Sequence, residues 1–187
     1  MNSPSSVLSM TAERKEKVSG ITHPWVYMGS MFSSFCWHVE DLGVNSLNYN
    51  HKGGTKTWYV VPGSHKSNFD MYVKNKYCLN SHKKSLLDRI TFMVDPVELM
   101  EAGIPVYKAY QRPHDYICTF FSAYHCGFSQ GYNVGEAVNF LSPLSIEVMK
   151  KAEKEKKLNP KSPPNVIPID WIVYENYPKI KQFKLHG

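Results

Sequence analysis

From Trp25 onward the chain sets short runs of aromatic and β-branched residues between turn-formers. The runs are Trp25–Met28, Met31–Trp37, Asn45–His51, Lys56–Val61, Tyr116–Ser122 and Glu136–Leu141, with Gly53-Gly54 and Pro62-Gly63 among the separators. Side chains of this kind fit a pleated, half-buried surface, so the runs predict strands of a mainly β domain. Between Ser64 and Gly103 the period lengthens. Phe69, Tyr72, Val73 and Tyr77 fall at helical spacing, and Asp95-Pro96-Val97-Glu98 carries an N-cap, a first-turn proline and a capping-box glutamate, with Gly103 as the stop. Residues 1–20 are polar and then charged, with room for a short helix around Thr11–Val18. A last helix is expected from Ser142-Pro143 through Lys156. Beyond Asn159 four prolines (Pro160, Pro163, Pro164, Pro168) predict an irregular strap docked by Trp171 and Tyr174. The expected organisation is a polar segment (1–20), a core domain (21–145), and a C-terminal helix and strap (146–187), without internal repeats.

Composition narrows the class. At 187 residues, 42% hydrophobic and 13% aromatic, the chain suits one packed domain and not a disordered tail. No apolar run approaches the ~20 residues of a membrane helix, and the N-terminus lacks the apolar stretch of a signal peptide. Cys36, Cys78, Cys118 and Cys126 are scattered with no CxxC pairing, which predicts free thiols in a reducing compartment. The net charge is +6, but 19 of the 22 basic residues are Lys, the general solubilising cation. The basic excess is therefore only a weak pointer to nucleic acid or chromatin, and the Lys/Glu-rich stretch 150–157 reads as a solvated face.

His38-Val39-Glu40 ends a predicted strand, where alternation projects imidazole and carboxylate to one side. One such H-x-[DE] match is expected about 0.7 times by chance in a chain with 8 His and 16 acidic residues, so context must carry it. Two imidazoles and a carboxylate on one face of an octahedral metal leave three positions open, the arrangement of non-haem iron oxygenases. The second imidazole must come from a distant strand. His125 answers this: it ends the apolar run before Gly127, whereas His51, His65, His82 and His114 lie in or beside turns and are expected to be exposed, and His23 and His186 are peripheral. Lys56 opens a strand and can neutralise a ligand carboxylate that would be costly to bury unpaired. Asn48, on an alternating strand, can hydrogen-bond in the same space.

These blocks together, Trp25–Gly29, Phe32–Asp41, Ser46–Tyr49, Lys56–Gly63, and Phe121–Phe128 with Glu136–Phe140, closely resemble the JmjC domain of histone lysine demethylases. The closest likeness is to the JARID subfamily, which acts on methylated lysine 4 of histone H3. The resemblance covers about Gly20 to Leu144, five separated blocks agreeing in order and spacing. It implies a double-stranded β-helix, a jelly-roll of the cupin type, with flanking helices. It implies Fe(II) held by His38, Glu40 and His125, with 2-oxoglutarate and O2 as cosubstrates. Lys56 matches the lysine that pairs with the distal carboxylate of 2-oxoglutarate, and Asn48, Ser46, Phe35 and Trp58 match the lining of that pocket. Tyr27 and Asn139 match residues framing the methylated ammonium. Ala137 matches a wall position that is small in several members accepting higher methylation states. A methylated histone H3 tail, chromatin and the nucleus follow as expected partners and location, with no membrane and with direct nucleic-acid binding left open.

Three departures accompany the likeness. An upstream tyrosine, early strands and a JmjN segment have no counterpart here, so the chain reads as a fragment or a reduced version. Ser129 and Gly54-Thr55 replace an asparagine and a Glu-Pro common in relatives. The zinc-binding cysteines that follow the domain in relatives are missing. Besides the demethylase, the sequence leaves open a JmjC protein hydroxylase and a catalytically silent chromatin-binding module; a cupin isomerase or storage protein would not need the Lys56 and Asn48 set.

Overall fold

The computed structural model describes residues 20–21, 23–77 and 93–142. The expected helix at Thr11–Val18, the expected C-terminal helix beyond Ser142 and the C-terminal strap lie outside them. Eight strands form two four-stranded antiparallel sheets. The strands are β1 (Trp25–Gly29), β2 (Ser34–His38), β3 (Asn45–Gly53), β4 (Lys56–Val61), β5 (Tyr107–Gln111), β6 (Tyr116–Thr119), β7 (Tyr124–Ser129) and β8 (Asn133–Phe140). One sheet runs β1-β8-β3-β6 and the other β2-β7-β4-β5. Chain neighbours thus fall mostly in opposite sheets, the jelly-roll arrangement of a double-stranded β-helix.

The sheet β2-β7-β4-β5 has two unlike faces. Its outer face carries Trp37, Val61, Tyr124 and Cys126, which pack with Phe69, Val73, Val94, Leu99 and Ile104 into the main hydrophobic cluster. The helices supplying that cover are α1 (Lys66–Lys76) and α2 (Pro96–Glu101). Trp37 is fully buried, packs its ring tilted against Phe69 at 5.4 Å and donates its indole N–H to Val94 O at 2.9 Å. The inner face is lined by the opposite alternation: His125 and Gly127 of β7, Lys56 and Trp58 of β4, and Phe35 and His38 of β2. Phe35 and His38 are three residues apart and would fall on opposite faces of a regular strand. A register shift between them, across which Phe35 faces Gly127 and His38 faces His125, brings both inward while Trp37 stays in the core.

Two sequence expectations change here. The run Tyr116–Ser122 is not one strand: β6 stops at Thr119, a turn intervenes with Ser122 at φ 57°, and β7 begins at Tyr124. His125 therefore opens a strand instead of ending one. Glu98 does not close a capping box. Asp95 caps α2 through Val97 N (2.8 Å), and Gly103 follows at φ +76°, but the Glu98 carboxylate takes Lys76 of α1 as its partner and ties the two helices together. The distant cation is the stronger partner because it is charged.

Gly127 sets how closely the sheet can pack at the site. A Cβ there would lie 2.1 Å from Thr57 O and 2.7 Å from the Phe35 ring. Gly127→Ala is therefore expected to cost at least the ~1–3 kcal/mol of an overpacked core position. Thermal or urea unfolding measures it, and a loss under ~0.5 kcal/mol would show that β2, β4 and β7 are not packed this closely.

Candidate metal centre

The pairing of β2 with β7 sets His38 directly opposite His125, with ring centroids 4.2 Å apart. His38 Nδ1 lies 2.7 Å from Cys36 O and His125 Nδ1 lies 3.1 Å from Ala123 O. A carbonyl can only accept, so both Nδ1 atoms carry the proton and both Nε2 lone pairs are left for a ligand. Glu40, beyond the end of β2 in extended conformation, brings Oε1 to 3.4 Å from His125 Nε2. One ligand atom from each of the three residues lies within 4.8 Å of the others, the one such group of His, Cys, Asp or Glu side chains among the described residues.

The turn after Glu40 holds the carboxylate in place. Gly43 N donates to Glu40 O (2.8 Å), and Ser122 N, in the turn leading to His125, donates to Gly43 O (3.0 Å). Leu42 lies between them at φ 58°, a left-handed conformation that costs a branched residue of order 1 kcal/mol and is retained because its side chain is buried. The loops carrying Glu40 and His125 are thereby tied to each other before any ligand arrives.

Electrostatics favour a ready ligand set. Burial alone would push the Glu40 carboxyl up. The hydrogen bond and charge of His125, a hydrogen bond from Asn139 and the charge of His38 outweigh it and hold the carboxyl at about 2. Burial and the neighbouring His125 lower the His38 pKa, which favours the neutral, ligating form. Two neutral imidazoles and one carboxylate fit a divalent first-row metal, with room for further ligands on the open side.

Of the remaining candidate residues, Phe35, Trp58, Asn139 and Tyr27 lie next to this centre, and Lys56 and Asn48 meet at a space over Gly135. Phe35 meets Trp58 edge-on at 4.7 Å, and each lies near His125, at 6.3 and 6.0 Å, forming an apolar wall. Lys56 is half-buried, which lowers its pKa, and among the described residues no carboxylate pairs with it. Lys56 Nζ and Asn48 Oδ1 lie 3.9 and 3.8 Å from the point where a Cβ of Gly135 would stand, so both face one space opened by that glycine. Ser46 shares a hydrogen bond with Thr119 across β3 and β6. Ala137 lies between Asn48 and Trp25, and Asn139 pairs with Ser46. Tyr27 opposes Gly135, is 43% exposed, and has its phenol pKa raised by burial and by the Glu40 charge.

The other histidines stay apart. His51 pairs with Glu136 (2.8 Å) and His114 with Tyr49 (3.1 Å), both exposed. His65 is half-buried, not exposed as its turn had suggested, and His82 and His186 lie outside the described residues. Cys36, Cys118 and Cys126 are free thiols, and burial pushes Cys126 up to about 12. No helix among the described residues is long and apolar enough to cross a membrane. Sequence reasoning missed Gln111, the fully buried end of β5, because β5 itself was not predicted; the period-two series Tyr107, Ala109, Gln111 was its available signal.

A fold of this type with a two-histidine, one-carboxylate centre inside it defines a class, and comparison with known proteins places the chain within it. The family model described as "JmjC domain, hydroxylase" matches residues 25–140, and the chain belongs to that family. It is similar to Lysine-specific demethylase ELF6 of Arabidopsis thaliana (40% identity, 77% of this chain, 11% of the relative). It is also similar to Lysine-specific demethylase JMJ17 of the same plant (40%, 74% and 12%) and to Lysine-specific demethylase 5B of Gallus gallus (41%, 74% and 9%). The chain spans about a tenth of the length of these relatives.

Two measurements test the centre. Glu40→Ala should weaken binding of a divalent metal by more than the ~10–100-fold that loss of an orienting partner costs, while the metal-free protein still folds cooperatively, with a melting temperature lowered by loss of the carboxylate's own interactions. Metal affinity within tenfold of wild type would remove Glu40 from the ligand set. The second concerns acid. A carboxyl held at about 2 against an ordinary 4.5 contributes stability that is fully present above pH 4.5 and lost as the pH falls through 2. Glu40→Gln should therefore flatten the stability profile of the metal-free protein in that window, and an unchanged slope would contradict the assigned interactions.

Proposed function

We propose that this chain is the catalytic core of an iron(II)- and 2-oxoglutarate-dependent oxygenase that demethylates N-methyl-lysine on a histone tail, histone H3 being the favoured substrate. The observation that carries the reading is the convergence of His38, Glu40 and His125 on the sheet face that also carries a half-buried ammonium, that of Lys56, with which no carboxylate pairs among the described residues. A metal centre alone would not need that cation, whereas a dicarboxylate cosubstrate would. Relatives that are lysine-specific demethylases support a methyl-lysine substrate; the histone tail, chromatin and the nucleus follow from the resemblance of the sequence blocks.

Iron bound at this centre would supply, with 2-oxoglutarate and O2, oxidation of an N-methyl carbon to hydroxymethyl, which leaves as formaldehyde, while 2-oxoglutarate becomes succinate and CO2. The residues of the chain have separable tasks. His38 and His125 offer Nε2 because their backbone carbonyl partners hold the other ring N–H. Glu40 supplies the anionic ligand, steadied by Asn139. Phe35 and Trp58 shield the cosubstrate from water, and Lys56 with Asn48 and Ser46 receives its polar end. Tyr27 and Asn139 frame the methylated ammonium, and Ala137 leaves space for its methyl groups.

A second reading, protein hydroxylation, follows from the family's own description. The same machinery would then oxidise a side-chain carbon without loss of formaldehyde. Incubation with methylated histone H3 peptides, iron(II), ascorbate and 2-oxoglutarate separates the two by mass. Stepwise loss of methyl groups is expected. A gain of one oxygen would support the hydroxylase, and an unchanged peptide panel with no succinate would favour a silent chromatin-binding module.

Lys56→Ala should weaken 2-oxoglutarate binding to the metal-loaded protein by about a hundredfold to a thousandfold, the effect of removing one partner of a buried ion pair. Metal affinity should be unchanged. Anaerobic titration calorimetry measures both, and equal 2-oxoglutarate affinities would show that Lys56 does not hold the cosubstrate.

A further inference from the structure

We propose that Gly135 determines the length of the 2-oxo diacid this pocket accepts: the room left by its missing side chain admits an acid one methylene longer than 2-oxoglutarate, with the second carboxylate still at Lys56. The inference rests on the cosubstrate reading above and deepens it by naming the residue that sets the limit.

Gly135 lies in the middle of β8, between Tyr27 of β1 and Asn50 of β3. A glycine inside a strand is unfavourable, because it loses more backbone freedom on folding than any other residue and brings no side chain to pack. The usual structural reasons for keeping one are absent. Its φ is not left-handed, unlike those of Gly20, Gly43, Gly53 and Gly103. Nor does neighbouring backbone crowd it. A Cβ at Gly53, Gly63 or Gly127 would meet a backbone oxygen at 2.2, 2.3 or 2.1 Å, too close for any side chain. At Gly135 the nearest atom is Tyr49 O at 3.3 Å, which a shift of a few tenths of an ångström relieves. Asn48 Oδ1 at 3.8 Å and Lys56 Nζ at 3.9 Å are in ordinary contact. An alanine would therefore fit the ligand-free protein. What this glycine preserves is room, as at sites where a ligand comes close to a strand.

The place of that room gives its use. Gly135 and Asn48 belong to one sheet and Lys56 to the other, so the bordering atoms reach it from both sides of the interior. Gly135 shares its face of β8 with Asn139, which hydrogen-bonds Glu40, and Lys56 shares its face of β4 with Trp58, whose ring lies 6.0 Å from that of His125. A diacid anchored at the metal by one end and at Lys56 by the other therefore ends beside Gly135. The room is bordered by one ammonium and two oxygens, and Asn48 Oδ1 already accepts from Gln111 Nε2 at 3.0 Å. A carboxylate oxygen pressed against that border would face two acceptors, whereas a CH2 group meets it without repulsion. Space for one missing methyl holds one methylene. The six-carbon acid fills it by bowing its chain toward Gly135 while its carboxylate stays on the ammonium.

The test is titration calorimetry of zinc-loaded, oxygen-free protein with 2-oxoglutarate, with 2-oxoadipate, which is one methylene longer, and with the monoacid 2-oxopentanoate. Wild type should bind the two diacids within about tenfold of each other. Gly135→Ala should bind 2-oxoadipate about ten- to hundredfold more weakly, the effect of one surplus methylene in a filled site, with 2-oxoglutarate within about threefold of wild type. Affinities for 2-oxopentanoate and zinc should not change. Wild type that binds 2-oxoglutarate and rejects 2-oxoadipate would overturn the proposal, as would a variant that weakens both diacids alike or keeps the wild-type preference. The metal-free variant gives a second readout. Its melting temperature should stay within about 4 °C of wild type, and a larger fall would show that packing requires the glycine, which also overturns the proposal. Wild type that binds neither diacid would overturn the cosubstrate reading itself, a result distinct from an unchanged length preference in the variant.

Discussion

The antiparallel pairing of β2 with β7 is the constraint on which the rest depends. It places His38 against His125, and its register shift turns Phe35 and His38 to the same side while leaving Trp37 in the hydrophobic core. A slip of one residue would send an imidazole into the apolar cluster and Trp37 into the pocket, exchanging well-matched environments for costly ones at both faces. The burial of Trp37, Tyr124 and Cys126 against the helices therefore does two things at once. It stabilises the sheet, and it fixes the register that makes the centre.

This division of labour explains why so polar an interior can persist. Asn48, Ser46, Thr119, Gln111 and His125 are all buried between the sheets, where unmet hydrogen bonds would cost of order 1–3 kcal/mol each. Most are satisfied by one another: Ser46 with Thr119, Gln111 with Trp58 and Asn48, His125 with Ala123 O. The apolar contribution comes from the far side of one sheet, and the pocket is held by a network of specific partners. Lys56 and the Nε2 atoms of the two histidines are the groups whose natural partners are ligands.

Much of this was legible in the sequence, because the relevant signals are local or carried by separated blocks in a fixed order. His38-Val39-Glu40, Lys56 at a strand start and His125 beside Gly127 are marked by their own neighbours, and the structure brings the two histidines and Glu40 to one place, with Lys56 on the same face of the sheet. The helical stretch around Phe69 and Val73 was visible from its period, as was the Asp95 cap. What the sequence hid depends on partners remote in the chain. The bulge between Phe35 and His38 has no local mark, since it exists only relative to β7. Glu98 looked like a capping-box residue until Lys76 came within reach. The apparent strand through Ser122 broke because the chain must turn there to bring β7 back beside β4. Gln111 carries no chemistry that singles it out; its importance comes from an indole and an amide 53 and 63 residues away.

The central claim is that three side chains from the β2 end and the start of β7 converge on one metal. A crystal structure of the protein soaked with zinc, with anomalous scattering collected at the zinc edge, tests it most directly. The account predicts a single ion bound by His38 Nε2, His125 Nε2 and a Glu40 oxygen at ~2.0–2.2 Å, with positions left open toward Lys56. An ion held elsewhere, or His125 Nδ1 in place of Nε2 at the metal, would contradict it.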